Sequence, residues 1–159
     1  MIMMGWNYKA FLCYNLPKKH KDCDMRYISG WEALNVPNEQ GVTADWHSSA
    51  YFHNLQPNKI YDDNENNPLK MLGIKKRFIA FLGKEYFVAS FARAIADLVY
   101  LDNVEQLRYC VNDFLSKDDE KELFEYLKII NQTKNIEEFM KWELTELYFK
   151  DKKCLNPIK

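Results

Sequence analysis

The sequence has few cysteines and few glycines, and neither residue forms a motif of the common functional sites. Its four cysteines stand at positions 13, 23, 110 and 154, and no Cys-x-x-Cys pair occurs. This spacing excludes the sequence signature of a structural zinc site or a redox dithiol. The five glycines form no Walker loop, no Gly-x-Ser-x-Gly elbow and no Gly-rich phosphate cradle. No motif of this kind therefore indicates a nucleophilic or nucleotide-binding enzyme.

The chain also lacks an excess of one charge and a long apolar run. Its 22 basic and 23 acidic residues leave a formal net charge of −1, so no strong overall field attracts it to nucleic acid or to an anionic membrane. Near the N-terminus, polar residues at positions 7, 9 and 15 interrupt the apolar ones, which is typical of neither a signal peptide nor a membrane span. We therefore expect a cytoplasmic protein without membrane association, nucleic-acid partner or cofactor.

Apolar and aromatic residues are abundant. Hydrophobic residues make up 47% of the chain and aromatic residues 15%, a composition that is typical of a folded chain. A length of 159 residues suits one domain. We predict a single α+β domain over residues 1–159. Residues 1–70 form an irregular, loop-rich, Trp-containing half with short strands, residues 71–150 form a β-hairpin and about four helices, and residues 151–159 form a frayed tail.

The regular half begins with the predicted β-hairpin. Residues 77–82 and 85–89 are rich in β-branched and aromatic side chains, and the Gly83-Lys84 pair between them suits a tight turn. Ser90 is the predicted N-cap of a helix that runs to about Leu101.

Three further helices are predicted because apolar residues recur with a period near 3.6. The first covers about residues 104–115. Ser116 opens the second, and with Asp119 it resembles a capping box. Asn135 opens the third. The predicted apolar faces of the last two helices comprise Leu123, Phe124, Leu127, Ile130, Ile136, Phe139, Met140, Leu144, Leu147 and Tyr148.

One group of residues suits catalysis. Asp45 and His47 flank Trp46, and His53 follows six residues after His47. Aspartate and histidine are common metal ligands and general acid–base groups, but their spacing here matches no metal-site template, and we predict no resident metal. The alternative function is a small hydrolase or transferase, with or without a divalent metal, that uses Asp45, His47 and His53.

A second group suits partner binding. The tract from Ser29 to Thr43 is dense in turn formers and polar residues, and loops on a rigid scaffold frequently form binding surfaces. Tryptophan is a preferred interface anchor. The predicted partner-binding residues are Trp31, Glu32, Asn35, Trp46 and His47. We expect the working surface before residue 62, where the aromatic residues lack a regular period; the alternative is that both tryptophans fill the core beneath a long loop.

Arg93 and Asp97 are a candidate structural pair. They stand four residues apart in the predicted helix after Ser90, so they can pair on one helix face. Alanines at positions 92, 94 and 96 allow another element to approach this helix closely.

The same stretch carries a family resemblance. Residues 88–98, Val-Ala-Ser-Phe-Ala-Arg-Ala-Ile-Ala-Asp-Leu, combine the end of a hairpin with a helix that opens on Arg-Ala-Ile-Ala-Asp. This pattern resembles the antitoxins of the AbiE abortive-infection systems, type IV toxin–antitoxin pairs whose toxin is a nucleotidyltransferase. The resemblance covers about residues 72–115. It implies a non-catalytic companion protein in which Arg93 and Asp97 have a structural role.

Two shorter observations qualify the resemblance. The tracts Ser-Gly-Trp-Glu-Ala-Leu-Asn and Gly-Val-Thr-Ala-Asp-Trp-His look like those of small uncharacterised bacterial proteins associated with such nucleotidyltransferases. In contrast, residues 1–70 show no helix-turn-helix pattern like the family's N-terminal winged helix, so DNA binding is not carried over. The sequence therefore predicts a bacterial or mobile-element, antitoxin-like protein that counters or accompanies a nucleotidyltransferase toxin. A single-strand nucleic-acid binder is a further alternative, which the near-zero net charge disfavours.

Overall fold

Strands precede most of the helices in the computed structural model, which describes residues 26–44, 60–62, 67–111, 115–130 and 132–155. This arrangement confirms the predicted α+β class, with a small sheet and mostly C-terminal helices. One cluster of buried apolar residues includes side chains from the strands and from the helices, between Tyr27 and Tyr148.

The strands form a four-stranded sheet in the order β2-β1-β4-β3. They are β1 (Arg26–Ile28), β2 (Ile60–Asp62), β3 (Ile74–Ile79) and β4 (Lys84–Ala89). β1 pairs antiparallel with β2 and parallel with β4, where Ile28 lies opposite Val88. β3 and β4 form an antiparallel hairpin. The predicted hairpin is therefore present and brings the N-terminal strand β1 beside β4.

The turn of the hairpin is longer than predicted. Ile79 pairs with Lys84, so residues 80–82 form a 3₁₀ turn rather than the end of a strand. Gly83 closes the turn with φ +63° and donates its N–H to the carbonyl of Ile79 at 2.9 Å. The apolar side chains of residues 80–82 predicted a strand. Because Ile79 pairs with Lys84, residues 80–83 form the loop that closes the hairpin instead.

Besides the helical residues 110 and 111, the described residues contain five α-helices. They are α1 (Gly30–Leu34), α2 (Phe91–Tyr100), α3 (Lys117–Ile129), α4 (Lys134–Glu143) and α5 (Thr145–Leu155). None of them is long and apolar enough to cross a membrane. The Ser90 hydroxyl accepts a hydrogen bond from the N–H of Arg93 at 3.2 Å, so the predicted N-cap of α2 is confirmed.

Helix α2 is the central helix. Every residue from Phe91 to Val99 is buried, because α1, α3 and β4 all pack against it. The capping box at the start of α3 is confirmed as well, since Ser116 Oγ accepts from Asp119 N–H and the Asp119 carboxylate accepts from Ser116 N–H, both at 3.2 Å. The predicted apolar residues of α3 and of the following helices are buried, with Leu147 partly buried: Leu123, Phe124, Leu127, Ile130, Ile136, Phe139, Met140, Leu144 and Tyr148.

The predicted helix over residues 104–115 is wrong over residues 104–109, whereas Cys110 and Val111 are helical as predicted. Residues 105–107 form one 3₁₀ turn, Arg108 is extended and Tyr109 has φ +69°. The prediction counted apolar side chains at helical spacing, and Leu107 and Val111 are indeed buried. The 3₁₀ turn buries Leu107, and the helical residues 110 and 111 that follow the backbone reversal at Tyr109 bury Val111.

The predicted C-terminal helix is divided. It begins after Thr133, whose hydroxyl caps Ile136 N–H at 3.3 Å, rather than at Asn135. It stops at Leu144, and the Thr145 hydroxyl donates to the carbonyl of Lys141 at 2.9 Å. The next helix, α5, continues to Leu155, into the stretch predicted as a tail. One apolar period spans both helices because they pack on the same core.

Candidate functional site

The residues of the predicted catalytic group lie outside the described part of the chain. This applies to Asp45, His47 and His53, and also to Trp46. The enzyme alternative therefore stays a prediction. Within residues 26–44, 60–62, 67–111, 115–130 and 132–155, no three His, Cys, Asp or Glu side chains are grouped as metal ligands.

The described residues of the predicted partner-binding tract lie on or next to α1. Glu32 is 6% exposed and Asn35 is 3% exposed. The Asn35 amide donates to the carbonyl of Trp31 at 2.9 Å, and Trp31 packs against the core. A partner cannot reach Glu32 or Asn35 in this conformation, so we do not place the working surface on α1.

Arg93 and Asp97 form a fully buried ion pair at the centre of the fold. Arg93 Nε lies 2.9 Å from Asp97 Oδ1, and the two side chains are 0% and 3% exposed. Arg93 Nη1 donates to the backbone carbonyls of Lys70 at 2.7 Å and Leu72 at 2.6 Å. Its Nη2 donates to the hydroxyl of Tyr27 at 3.0 Å. The guanidinium thus joins α2 to the 70–72 turn and to β1.

The Asp97 carboxylate accepts four hydrogen bonds. Besides Arg93 Nε, Oδ1 accepts from Asn67 Nδ2 at 3.3 Å. Oδ2 accepts from Ser29 Oγ at 2.6 Å and from Tyr27 Oη at 3.1 Å. Burial, and next the neighbouring Asp97 charge, raises the pKa of Tyr27 far above its ordinary value, so the phenol keeps its proton and donates.

This network is saturated and sealed from solvent, which suits a structural role. A carboxylate with four donors has no lone pair left for a substrate proton, and Ser29, Arg93 and Asp97 are all at most 2% exposed. Its charges are paired and hydrogen-bonded, as buried charges must be. The sequence indicated the pair but not its partners Tyr27, Ser29 and Asn67, because no local pattern connects residues 30 to 70 positions apart.

The described surface has a cleft between residues 102–109 and one face of α4, which we call the α4 cleft. Its volume is about 720 Å³, within the range of small-molecule and side-chain binding pockets. The α4 wall presents residues 135, 138, 139, 142 and 143, a spacing that lies on one helical face. Those positions span about 12 Å along the helix axis.

Hydrogen bonds hold the two walls together at both ends of the cleft. Asn135 Nδ2 donates to Asp102 Oδ1 at 2.7 Å. At the other end, the backbone N–H of Tyr109 donates to Glu143 Oε1 at 2.9 Å. The cleft is therefore a built feature of the fold, with its width set by these two contacts.

Both anchor points on the 102–109 wall have left-handed backbone conformations. Asp102 has φ +63° and Tyr109 has φ +69°, which cost about 1–2 kcal/mol each in a residue other than glycine. At Asp102 the conformation ends α2, since Asp102 N–H donates to Val99 and Asn103 N–H to Leu98, in the pattern of a Schellman motif. Strained backbone of this kind concentrates at functional sites.

Exposed aromatic rings stand on the two walls. Trp142 on α4 is 75% exposed and Tyr109 is 70% exposed, whereas Phe139 is buried beside them. The charged lining residues are four acids, Asp102, Glu105, Glu138 and Glu143, and one base, Arg108. Such a cleft can bind a ligand by stacking on aromatic faces and by pairing a positive charge with carboxylates.

Sequence reasoning missed this site because it predicted a continuous helix over residues 104–115. One signal was present. Trp142 does not belong to the apolar face of its own helix, which comprises Ile136, Phe139, Met140 and Leu144. A tryptophan on the polar face of an amphipathic helix is a candidate contact residue.

The variant Tyr109→Gly tests whether the ring of Tyr109 contributes to the stability of the fold. Glycine adopts φ +69° without the steric cost, but it also gains entropy when unfolded. We expect the free energy of unfolding to stay equal or to rise by about 1 kcal/mol, as measured by urea denaturation. A loss above about 1 kcal/mol would show that the exposed ring stabilises the fold.

No protein-family model, no curated protein and no solved structure matches this chain.

Proposed function

We propose that the protein is a non-catalytic, antitoxin-like companion protein of bacterial or mobile-element origin, which counters or accompanies a nucleotidyltransferase toxin in the cytoplasm. We further propose that it contacts a protein partner through the α4 cleft. The observation that carries this proposal is the pair of exposed rings, Trp142 and Tyr109, on the two walls of one cleft.

Exposed aromatic rings in a preformed cleft favour partner binding. Tryptophan and tyrosine are the side chains most enriched among residues that dominate interface energies. Both rings are on positioned backbone: Trp142 is on α4, and Tyr109 is tied to Glu143 through its N–H. Because this surface is already ordered, little conformational entropy would be lost when a partner binds to it.

The hairpin and helix that carry the family resemblance belong to the interior of the fold. The β3–β4 hairpin leads into α2, and Arg93 and Asp97 lie in the interior. Side chains in this position keep the fold together but touch no partner. A companion protein built in this way would bind through another surface, and the α4 cleft begins two residues after α2 ends.

A co-expression growth assay tests the proposal. The chain is expressed together with the nucleotidyltransferase that the proposal predicts beside its gene, and growth is compared with the nucleotidyltransferase alone. We expect the wild-type chain to restore growth and Trp142→Ala to restore it much less, because the mutation removes a 75% exposed ring and leaves the core intact. Phe149→Ala is the matched control, since Phe149 is also an exposed aromatic residue but does not line the cleft.

Two results would contradict the proposal. If the wild-type chain does not relieve the growth defect, the antitoxin-like role is wrong. If Trp142→Ala and Phe149→Ala both restore growth fully, at equal protein levels on an immunoblot, the α4 cleft is not the working surface.

A further inference from the structure

The charged residues and aromatic rings that line the α4 cleft indicate which chemical group of a partner would bind there. We propose that the cleft binds an arginine side chain on an exposed segment of a protein partner. This inference rests on the proposed function only in taking the cleft as the partner surface; it does not depend on the partner being a toxin.

Charge excludes most other occupants. The lining carries Asp102, Glu105, Glu138 and Glu143 against the single cation Arg108, although the chain as a whole is nearly neutral. A nucleic-acid phosphate or an acidic peptide would be repelled here, whereas a cation gains from every carboxylate within a Debye length. The local field therefore selects a positively charged group.

The two walls supply complementary contacts for that group. Glu138 and Trp142 stand four residues apart on α4, so a carboxylate and an exposed ring lie side by side. Glu105 and Tyr109 place a further carboxylate and a further exposed ring on the opposite wall. Lys134 lies 3.7 Å from Glu138, and at Glu138 an incoming cation would compete with this exposed ion pair.

Arginine fits this arrangement better than lysine. A guanidinium is planar, so it stacks on an aromatic face while its edge donates to a carboxylate in the same plane. It is also more weakly hydrated than an ammonium, which lowers the cost of leaving water. The protein itself contains cation–ring contacts of both kinds, with the Arg93 guanidinium carbon 5.3 Å from the centre of the Tyr27 ring and Lys128 Nζ 5.4 Å from that of Phe124. The preference for arginine therefore rests on its shape and weaker hydration.

The test measures binding of fluorescein-labelled peptides to the full chain by fluorescence anisotropy. The probe is Gly-Ser-Arg-Gly-Arg-Gly-Ser, and the comparison peptides replace both arginines by lysine or by citrulline, the uncharged isostere. We expect the arginine peptide to bind about fivefold or more tightly than the lysine peptide, and the citrulline peptide to bind at least about tenfold more weakly than arginine. Binding should weaken as sodium chloride rises from 50 to 500 mM.

Variants place the binding in the cleft. Trp142→Ala and Glu138→Gln should each weaken binding of the arginine peptide by about fivefold or more, and Phe149→Ala should leave it unchanged.

Equal binding of the citrulline peptide and the arginine peptide, or equal binding by Trp142→Ala and wild type, would overturn the inference. Tighter binding of a single-stranded oligonucleotide than of the arginine peptide would also overturn it. If the peptides fail while Trp142→Ala still abolishes growth rescue, only the arginine inference falls; if growth rescue fails while the arginine peptide binds, only the antitoxin-like role falls.

Discussion

Asp97→Ala is expected to lower the free energy of unfolding by about 3–5 kcal/mol, because it leaves the guanidinium of Arg93 buried without its counter-charge. Arg93 is fully buried, so its charge is not exposed to bulk solvent when the carboxylate is lost. The same mutation removes the acceptor for Ser29, Tyr27 and Asn67, whose donors would be left unsatisfied in the interior. Urea denaturation followed by circular dichroism measures the loss.

The exposed ion pair Lys76–Glu85 provides the matched control. Its nitrogen and oxygen are 2.6 Å apart, closer than in the buried pair, but both side chains are more than half exposed. Glu85→Ala should therefore cost less than about 1 kcal/mol. Similar losses for the two variants would show that Asp97 is not the electrostatic centre of the fold. If Asp97→Ala does not fold in the absence of denaturant, Asp97→Asn keeps the size of the side chain and should show a smaller loss of the same sign.

The parts of the fold that the sequence predicted well are those that short-range chemistry determines. Ser90 and Ser116 each place a hydroxyl where a helix N-terminus has unsatisfied N–H groups, and both cap as predicted. Gly83 supplies the left-handed residue that closes the hairpin. In each case the signal and its partner lie within four residues of one another, so one sequence suffices to identify them.

The parts that it missed depend on distant contacts. Leu107 and Val111 are buried, as their helical spacing predicted, but Leu107 lies in a 3₁₀ turn, and Tyr109 takes a left-handed conformation that no local signal required. The Glu143 carboxylate, 34 residues away, accepts the Tyr109 N–H and ties this turn to α4. The α4 cleft follows from that contact, and for this reason the expected working surface before residue 62 differs from the one proposed here.

Gly73→Ala is expected to lower the free energy of unfolding by about 2–5 kcal/mol, from two separate causes. Gly73 has φ +71°, which costs an alanine about 1–2 kcal/mol. An added Cβ would also lie 2.7 Å from Tyr126 Oη and 2.8 Å from Arg93 Cβ, and overpacking of this kind costs about 1–3 kcal/mol. Neither neighbour can move freely, since Tyr126 donates to Glu122 at 2.5 Å and Arg93 is held by its network.

Gly83→Ala separates the two causes. Gly83 has nearly the same backbone conformation, φ +63°, but nothing lies within 4 Å of an added Cβ. It should therefore lose only the conformational part, about 1–2 kcal/mol. The difference between the two variants in urea denaturation measures the packing at Gly73, where the start of β3 meets α2 and α3. Equal losses would show that the contact with Tyr126 and Arg93 relaxes at no cost, and the tight junction inferred at the start of the hairpin would then be wrong.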